Sequence, residues 1–479
     1  MSDCCTTHAG PGQGSAHLVI IGGGSAAFAA AIRASELGGQ VTIINDGLPI
    51  GGTCVNVGCV PSKTLIRAAE AHHRASHHTF HGIDSTSRIE SFEAIVTQKR
   101  QLVSELRQAK YLDVVSGLPN IKIIRGRARL VSKKVVEVNG RPILADRILI
   151  ATGASPFIPP IPGLAENTYL TNETAFELEE LPESLIVLGG RYIALECAQM
   201  FARFGSRVMI LQRSSRVLPT ETPDVTDTLT EYLTQEGIEV LTGVSLTGVS
   251  TRGEGYLVEA SIEGTGKTFE ASHILVATGR RPNTDGLGLD ELGIKRDSRG
   301  FLKVDETLQT NVDGIYGAGD VIGEPMFVYT AAYEGALAAE NAITGSSKTR
   351  DYTALPWVIF TDPQVAGVGL DERQARERGI DVDAFTLPLS HVPRSIAARD
   401  TRGFITLIRD RSTDRLIGSR IVAPEGSELL MELSCAIKFG ITVSELASSF
   451  HPYLTLSEGV KLAAISFQKD VARLSCCAT

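Results

Sequence analysis

The sequence predicts an α/β fold laid out on a duplicated plan, and three observations predict it. A short apolar run twice leads into a glycine-rich turn and an Ala/Leu-rich helical segment, first at Gly22-Gly23-Gly24 and again at Gly189-Gly190. Each unit is later followed by an apolar run ending in Ala-Thr-Gly, at Ile148 to Gly153 and at Ile274 to Gly279. Beyond about Gly345 these turns give way to strand-like runs such as Gly403 to Arg409 and amphipathic helices around Glu428 to Phe439. The 479 residues suffice for three domains at about 150 residues each.

In the first unit, His17 to Ile21 reads as a strand, the segment from the glycines to Leu37 as a helix, and Val41 to Ile44 as the next strand. The second unit repeats this with Leu185 to Leu188, a helix ending at Phe204, and Arg207 to Leu211. The Pro-rich stretch Pro156 to Pro162 breaks any helix or inner strand and marks a crossing between the halves. Expected boundaries are a tail over 1–16, one dinucleotide-binding domain over 17–154 and 283–348, a second over 155–282, and a C-terminal domain over 349–479.

Composition narrows the function. Apolar residues make up 43% and no run of about 18 apolar residues occurs, so no membrane span is expected. A net charge of −9 without a long basic run argues against nucleic acid or an anionic membrane as partner. The N-terminus lacks the basic and apolar regions of a secretory signal, so a cytoplasmic location is expected. Of eight cysteines, six form close pairs: Cys4 with Cys5, Cys54 with Cys59, and Cys476 with Cys477. In a reducing compartment such pairs read as redox or metal chemistry. Cys197 and Cys435, single and in apolar helical patterns, read as inert core thiols.

The first loop, Gly22-x-Gly24-x-x-Ala27, lies between strand and helix. There glycines allow close approach to a pyrophosphate and the helix N-terminus supplies N–H donors. Asp46, with Asn45 beside it, is the candidate for the ribose hydroxyls. In the second loop Gly189 and Ala194 fit, but Arg191 takes the middle glycine's place, where its side chain either crowds the pyrophosphate or contacts it. The following strand ends in Gln212 and Arg213, with Arg216 nearby. A missing acid plus two arginines favours NADPH, whose 2′-phosphate suits cationic donors, over the blander reading of two solvated arginines.

The segment Gly51-Gly52-Thr53-Cys54-Val55-Asn56-Val57-Gly58-Cys59-Val60-Pro61-Ser62-Lys63 puts two cysteines five apart at a helix start. The helix N-terminus and Lys63 there favour a thiolate. A structural zinc half-site is the competing reading, with no second pair at matching spacing. His72, His73, His77, His78 and His81 read as a solvated helix face.

This motif, the two loops and Gly317-Ala318-Gly319-Asp320 together resemble the flavin-dependent pyridine nucleotide-disulfide oxidoreductases, over about residues 17–479. The ending Leu474-Ser475-Cys476-Cys477-Ala478, with Val392-Pro393-Arg394 and Thr401-Arg402-Gly403-Phe404, resembles the members that reduce mercuric ion. The resemblance implies two Rossmann-like domains, the first for FAD and the second for NAD(P)H, an α+β C-terminal dimerisation domain, and a homodimer. It implies electrons passing from NADPH through FAD to Cys54–Cys59, with Cys59 nearer the flavin and Cys54 the outer thiol. Gly52, Thr53, Thr152, Gly153 and Asp320 would serve the FAD, Gly279 would border the nucleotide sites, and Lys63 with Glu196 would form an ion pair near the flavin ring.

The tail agrees chemically, because two adjacent thiols suit a soft cation such as Hg(II), arriving as a thiolate complex. Cys476 and Cys477 of one subunit would pass the ion to Cys54 and Cys59 of the other, these four being the metal ligands. The role of Cys4 and Cys5 is left open. Disulfide reductases of this family have a His five residues before Glu458, where this chain has Tyr453; Tyr111 matches a second active-site tyrosine. A phenol is a poor proton shuttle at neutral pH beside an imidazole. The competing activities are a disulfide reductase, such as a dihydrolipoamide dehydrogenase, and a metal-sequestering protein without turnover.

Overall fold

The structure is a computed structural model, and it describes residues 16–470. The chain forms two compact units. Of the described residues, one comprises 16–59, Leu102–Ser155 and Arg280–Arg350; the other comprises Val60–Gln101, Pro156–Gly279 and 351–470.

The first unit is built on a five-stranded parallel sheet in the order Ile315–Gly317, Arg147–Ile150, His17–Ile21, Gln40–Asn45, Ile121–Arg125. Its central strand His17–Ile21 is almost wholly buried, as expected of a parallel strand covered on both faces. On one face lie the helices Ser25–Glu36 and Val328–Thr344, packed so closely that a Cβ on Gly335 would meet the Ala26 carbonyl oxygen at 2.1 Å. Alanines at 26, 27, 30, 31 and 34 make that approach possible. The antiparallel ribbon Ala128–Ser132, Val135–Val138, Arg141–Leu144 joins the core on the other face.

The second unit holds a four-stranded parallel sheet ordered Glu239–Leu241, Arg207–Leu211, Ser184–Leu188, His273–Val276, with the helix Tyr192–Phe204 against it. It also holds a five-stranded antiparallel sheet ordered Pro356–Ile359, Gln364–Gly369, Leu416–Ala423, Phe404–Asp410, Val382–Pro388. Strand, glycine turn, helix and strand thus occur twice, with the second strand pairs in registers Val19↔Thr42 and Met209↔Ile186. Among the described residues no helix is long and apolar enough to cross a membrane.

Candidate functional site

In the first unit three glycines crowd the strand-to-helix turn. Gly22 has φ +127°, and a Cβ there would stand 2.1 Å from the Ala151 carbonyl oxygen; a Cβ on Gly23 would run into the Asn45 side chain. Gly24 caps the helix Ser25–Glu36, and Ala27 is fully buried beneath the turn. The backbone of Gly52, at φ +60°, closes on the same turn: its absent Cβ would fall 2.6 Å from Gly24 Cα. Asn45 is occupied within its own turn, donating to the Leu48 carbonyl at 3.0 Å, while Asp46 is exposed at the strand end.

The cysteine segment is two helices broken at one residue. Gly52–Val57 ends at Gly58, where a Cβ would lie 2.9 Å from the Thr53 carbonyl oxygen, and Cys59–Ser76 begins directly afterwards. Buried Asn56 staples the entry turn by donating to the carbonyls of Pro49, Ile50 and Gly52, and Arg107 donates to its Oδ1 at 3.0 Å. Cys54 and Cys59 are half-buried. Tyr111 sits on a π-helical turn, Gln108–Leu112, with its ring edge-on to Phe28 at 4.9 Å and its hydroxyl 3.5 Å from Ser25 Oγ. Burial pushes its phenol above the ordinary range, and the charges of Cys54 and Cys59 act in the same direction.

Arg280 completes this unit's site. Its guanidinium donates to the Ala154 carbonyl and, at 3.4 Å, to the Thr53 hydroxyl, while Nε stands 3.5 Å from Asp320 Oδ2. That Nε is buried and makes no hydrogen bond. Burial raises the Asp320 carboxyl, with Arg280 opposing. A glycine cradle at a helix N-terminus and an orphaned guanidinium N–H beside a carboxylate fit a dinucleotide with its pyrophosphate and polyol. Thr152 and Gly153 line the neighbouring turn, where Thr152 Oγ1 donates to the Asn283 carbonyl and Gly153 accepts from the Asn283 N–H.

In the second unit the corresponding turn has Gly189 at φ +117°, its absent Cβ 2.4 Å from the Ala277 carbonyl oxygen, and Ala194 fully buried. Arg191 is the N-cap residue of Tyr192–Phe204 and is exposed. Arg213 and Arg216 are exposed after the next strand, and Gly279 is exposed at φ +144°. Lys63 and Glu196 form an ion pair at 2.7 Å. Phe360 holds both partners: its ring lies under the Lys63 ammonium at 4.6 Å and its backbone N–H donates to Glu196 Oε1 at 3.0 Å.

Family models match the description "pyridine nucleotide-disulphide oxidoreductase" over residues 16–335 and its dimerisation domain over 355–464. The chain belongs to the pyridine nucleotide-disulphide oxidoreductases. It is 43% identical over 466 residues to a mercuric reductase of Staphylococcus aureus, covering 97% of this chain and 85% of that protein. It is 45% identical over 467 residues to one of Streptomyces lividans, covering 96% and 98%. Among solved structures, the Cu(II) complex of the HOCl-induced flavoprotein disulfide reductase RclA from Escherichia coli superposes with a TM-score of 0.85 at 30% identity, over 95% of this chain and all of that one. LpdA from Mycobacterium tuberculosis gives 0.83 at 31%, with the same coverage. As a member of this oxidoreductase family the chain is an enzyme that uses FAD and NADPH.

In this oxidoreductase the C-terminal region corrects one expectation. Cys435 is exposed, not a core thiol. It lies on Leu430–Phe439 with exposed Met431 and Phe439, four residues to either side, while Leu430, Leu433 and Ala436 face inward. The outward side therefore mixes Met431, Cys435 and Phe439 with the exposed Lys438. Cys197 is buried as expected, and burial raises its thiol.

Tyr453 is half-exposed, and His451 lies with its Nε2 2.6 Å from Glu432 Oε1 and its side chain 5% exposed. The five histidines do not share one helix face: His72 and His73 lie on the helix Cys59–Ser76 and His77, His78 and His81 follow it, with His73 and His77 stacked at 4.1 Å and His72 Nδ1 paired with Ser87 Oγ. Among the described residues no group of three or more ligands that could hold a metal ion occurs. Cys4, Cys5, Cys476 and Cys477 lie outside the described residues. Sequence reasoning missed Arg280, Asn56 and Phe360; Arg280 had a signal, following Ala-Thr-Gly directly.

Proposed function

We propose that this oxidoreductase reduces Hg(II), taken as a thiolate complex, to elemental mercury with electrons from NADPH. Likeness to mercuric reductases along nearly the whole chain supports the reading, and Tyr453 carries it. Reducing a disulfide needs an imidazole to return a proton to the leaving thiol. This chain offers a phenol at that position. Bound FAD supplies the two-electron relay between NADPH and the thiol pair.

The residues then divide the work. The first glycine turn, Thr53, Asp46, Asp320 and Arg280 hold the FAD, and Gly189, Arg191, Arg213 and Arg216 hold the NADPH. Lys63, fixed by Glu196 and Phe360, sets a positive charge one helical turn after Cys59. Cys54 and Cys59 bind Hg(II) between two thiolates, where two electrons convert it to Hg(0) and leave both thiols to be reprotonated. Tyr111 and Tyr453 present hydroxyls that assist ligand exchange. Cys476 and Cys477 of the partner subunit deliver the ion by thiolate exchange, so it is never released. The enzyme works as a homodimer in the cytoplasm.

The test is NADPH oxidation by the purified yellow protein with Hg(II) and excess thiol, against lipoamide or glutathione disulfide. Turnover with Hg(II) alone is expected, and Tyr453→Phe should lose most of it while NADPH still bleaches the flavin. Robust disulfide reduction by the parent protein would overturn the proposal.

A further inference from the structure

Both segments read as NADPH contacts are tied to one stack of side chains in the C-terminal sheet. Arg420, on the strand Leu416–Ala423, is 4% exposed at its side chain and pairs through Nε with Glu221 at 2.8 Å. Glu221 closes the segment that carries Arg213 and Arg216. That segment is pinned to the glycine turn by the Leu218 N–H, which donates to the Gly190 carbonyl at 2.9 Å. The guanidinium of Arg420 also lies over the Trp357 ring at 5.5 Å, and Tyr192 stacks on that ring at 6.1 Å and 9°. Tyr192 is the first residue of the helix after Arg191. Gly367 makes room for the indole, since a Cβ there would meet it at 2.5 Å.

Arg420 is the cation shared by two buried carboxylates. Asp371 stands 4.0 Å from its Nη2, and burial raises the carboxyl of Glu221. Without the arginine Glu221 would lose its 2.8 Å partner while Asp371 kept Arg373 at 3.9 Å, so the segment ending at Glu221 would leave its place. Neither Arg420 nor Trp357 needs to touch the nucleotide for this to matter.

We propose that Arg420 is a positioning residue for the NADPH site, setting the preference for the 2′-phosphate by holding the Arg213–Arg216 segment through Glu221 and the glycine turn's helix through Trp357 and Tyr192. The proposal rests on the reading of Arg213 and Arg216 as the 2′-phosphate contacts. A contact that merely stabilised the fold would lower thermal stability without altering the ratio of NADPH to NADH efficiency.

The experiment compares the parent holoenzyme with Glu221→Gln/Arg420→Met, which removes the pair and leaves Asp371 to Arg373, 3.9 Å away, and with the milder Trp357→Phe. The expected result for the double variant is an NADPH KM raised about tenfold at nearly unchanged kcat, the NADH KM unchanged, and the preference ratio down by the same factor. Trp357→Phe should show the same direction at smaller size and serves if the double variant does not fold. Trp357 is the chain's one tryptophan, so NADP+ titration of the parent should change its emission. In the double variant the midpoint of that change should move up about tenfold, matching the shift in KM. A preference ratio kept in both variants, or parent emission indifferent to NADP+, would overturn the proposal. If the parent itself uses both nucleotides equally well, it is the underlying reading of Arg213 and Arg216 that fails.

Discussion

Gly52→Ala isolates the contact on which the FAD cradle depends. Gly52 sits at φ +60°, where an L-residue costs about 1–2 kcal/mol. Its new methyl would stand 2.6 Å from Gly24 Cα, against about 3.5–4.0 Å for an ordinary carbon contact. The two turns must therefore part by about an ångström. Gly24 cannot yield cheaply, because the Gly51 N–H donates to the Gly23 carbonyl at 2.8 Å and Gly23 already abuts Asn45. Overpacking of this kind costs about 1–3 kcal/mol. The sum, about 2–5 kcal/mol, falls on the state that grips the pyrophosphate, since the apoprotein relaxes by opening the turn. FAD should bind roughly 30-fold to a few thousand-fold more weakly. Gly38→Ala is the control: its φ is +81° with nothing within 4 Å of the added carbon, so it bears the backbone cost alone. The assay is flavin retained per protein after gel filtration, with fluorescence titration of the apoprotein. Equal FAD affinity in Gly52→Ala and Gly38→Ala would refute the steric reasoning.

Replacing Arg213 and Arg216 together by Ala should raise the NADPH KM and leave NADH use little changed; steady-state kinetics with both nucleotides checks it, and equal efficiency in the parent would contradict it. A heterodimer of one subunit altered at Cys54 with one altered at Cys476 and Cys477 should keep one composite site and measurable Hg(II) reduction, and silence with both homodimeric parents inactive would exclude delivery in trans. His73 is held down to about 4 by burial and by the Arg203 charge. Its contribution should be complete above about pH 6.5 and lost as pH falls toward 4, because the unfolded imidazole takes up its proton first. His73→Gln should flatten that part of the melting-temperature profile, by about 1–2 kcal/mol after discounting for partial exposure, and an unchanged slope would show that His73 is not the group responsible.

The sequence by itself determined the duplicated strand, turn and helix units, because glycines at 22, 52 and 189 take backbone angles and close approaches that almost no other residue permits. It also pointed to the thiol chemistry, since Cys54 and Cys59 lie five apart within one local segment. The Lys63–Glu196 pair joins residues far apart in the chain, and it was legible only through a resemblance. Tertiary structure decided the rest. Arg280 meets Asp320 and Thr53 across three separate segments, and Phe360 reaches Lys63 and Glu196 from a strand end nearly 300 residues beyond Lys63. No local pattern encodes such meetings, because they depend on how sheets stack. Cys435 shows the same limit from the other side. Its helix carries Met431 and Phe439 outward as well as Leu430, Leu433 and Ala436 inward, and hydrophobicity, which is blind to direction, does not say which of them meet the chain's own core.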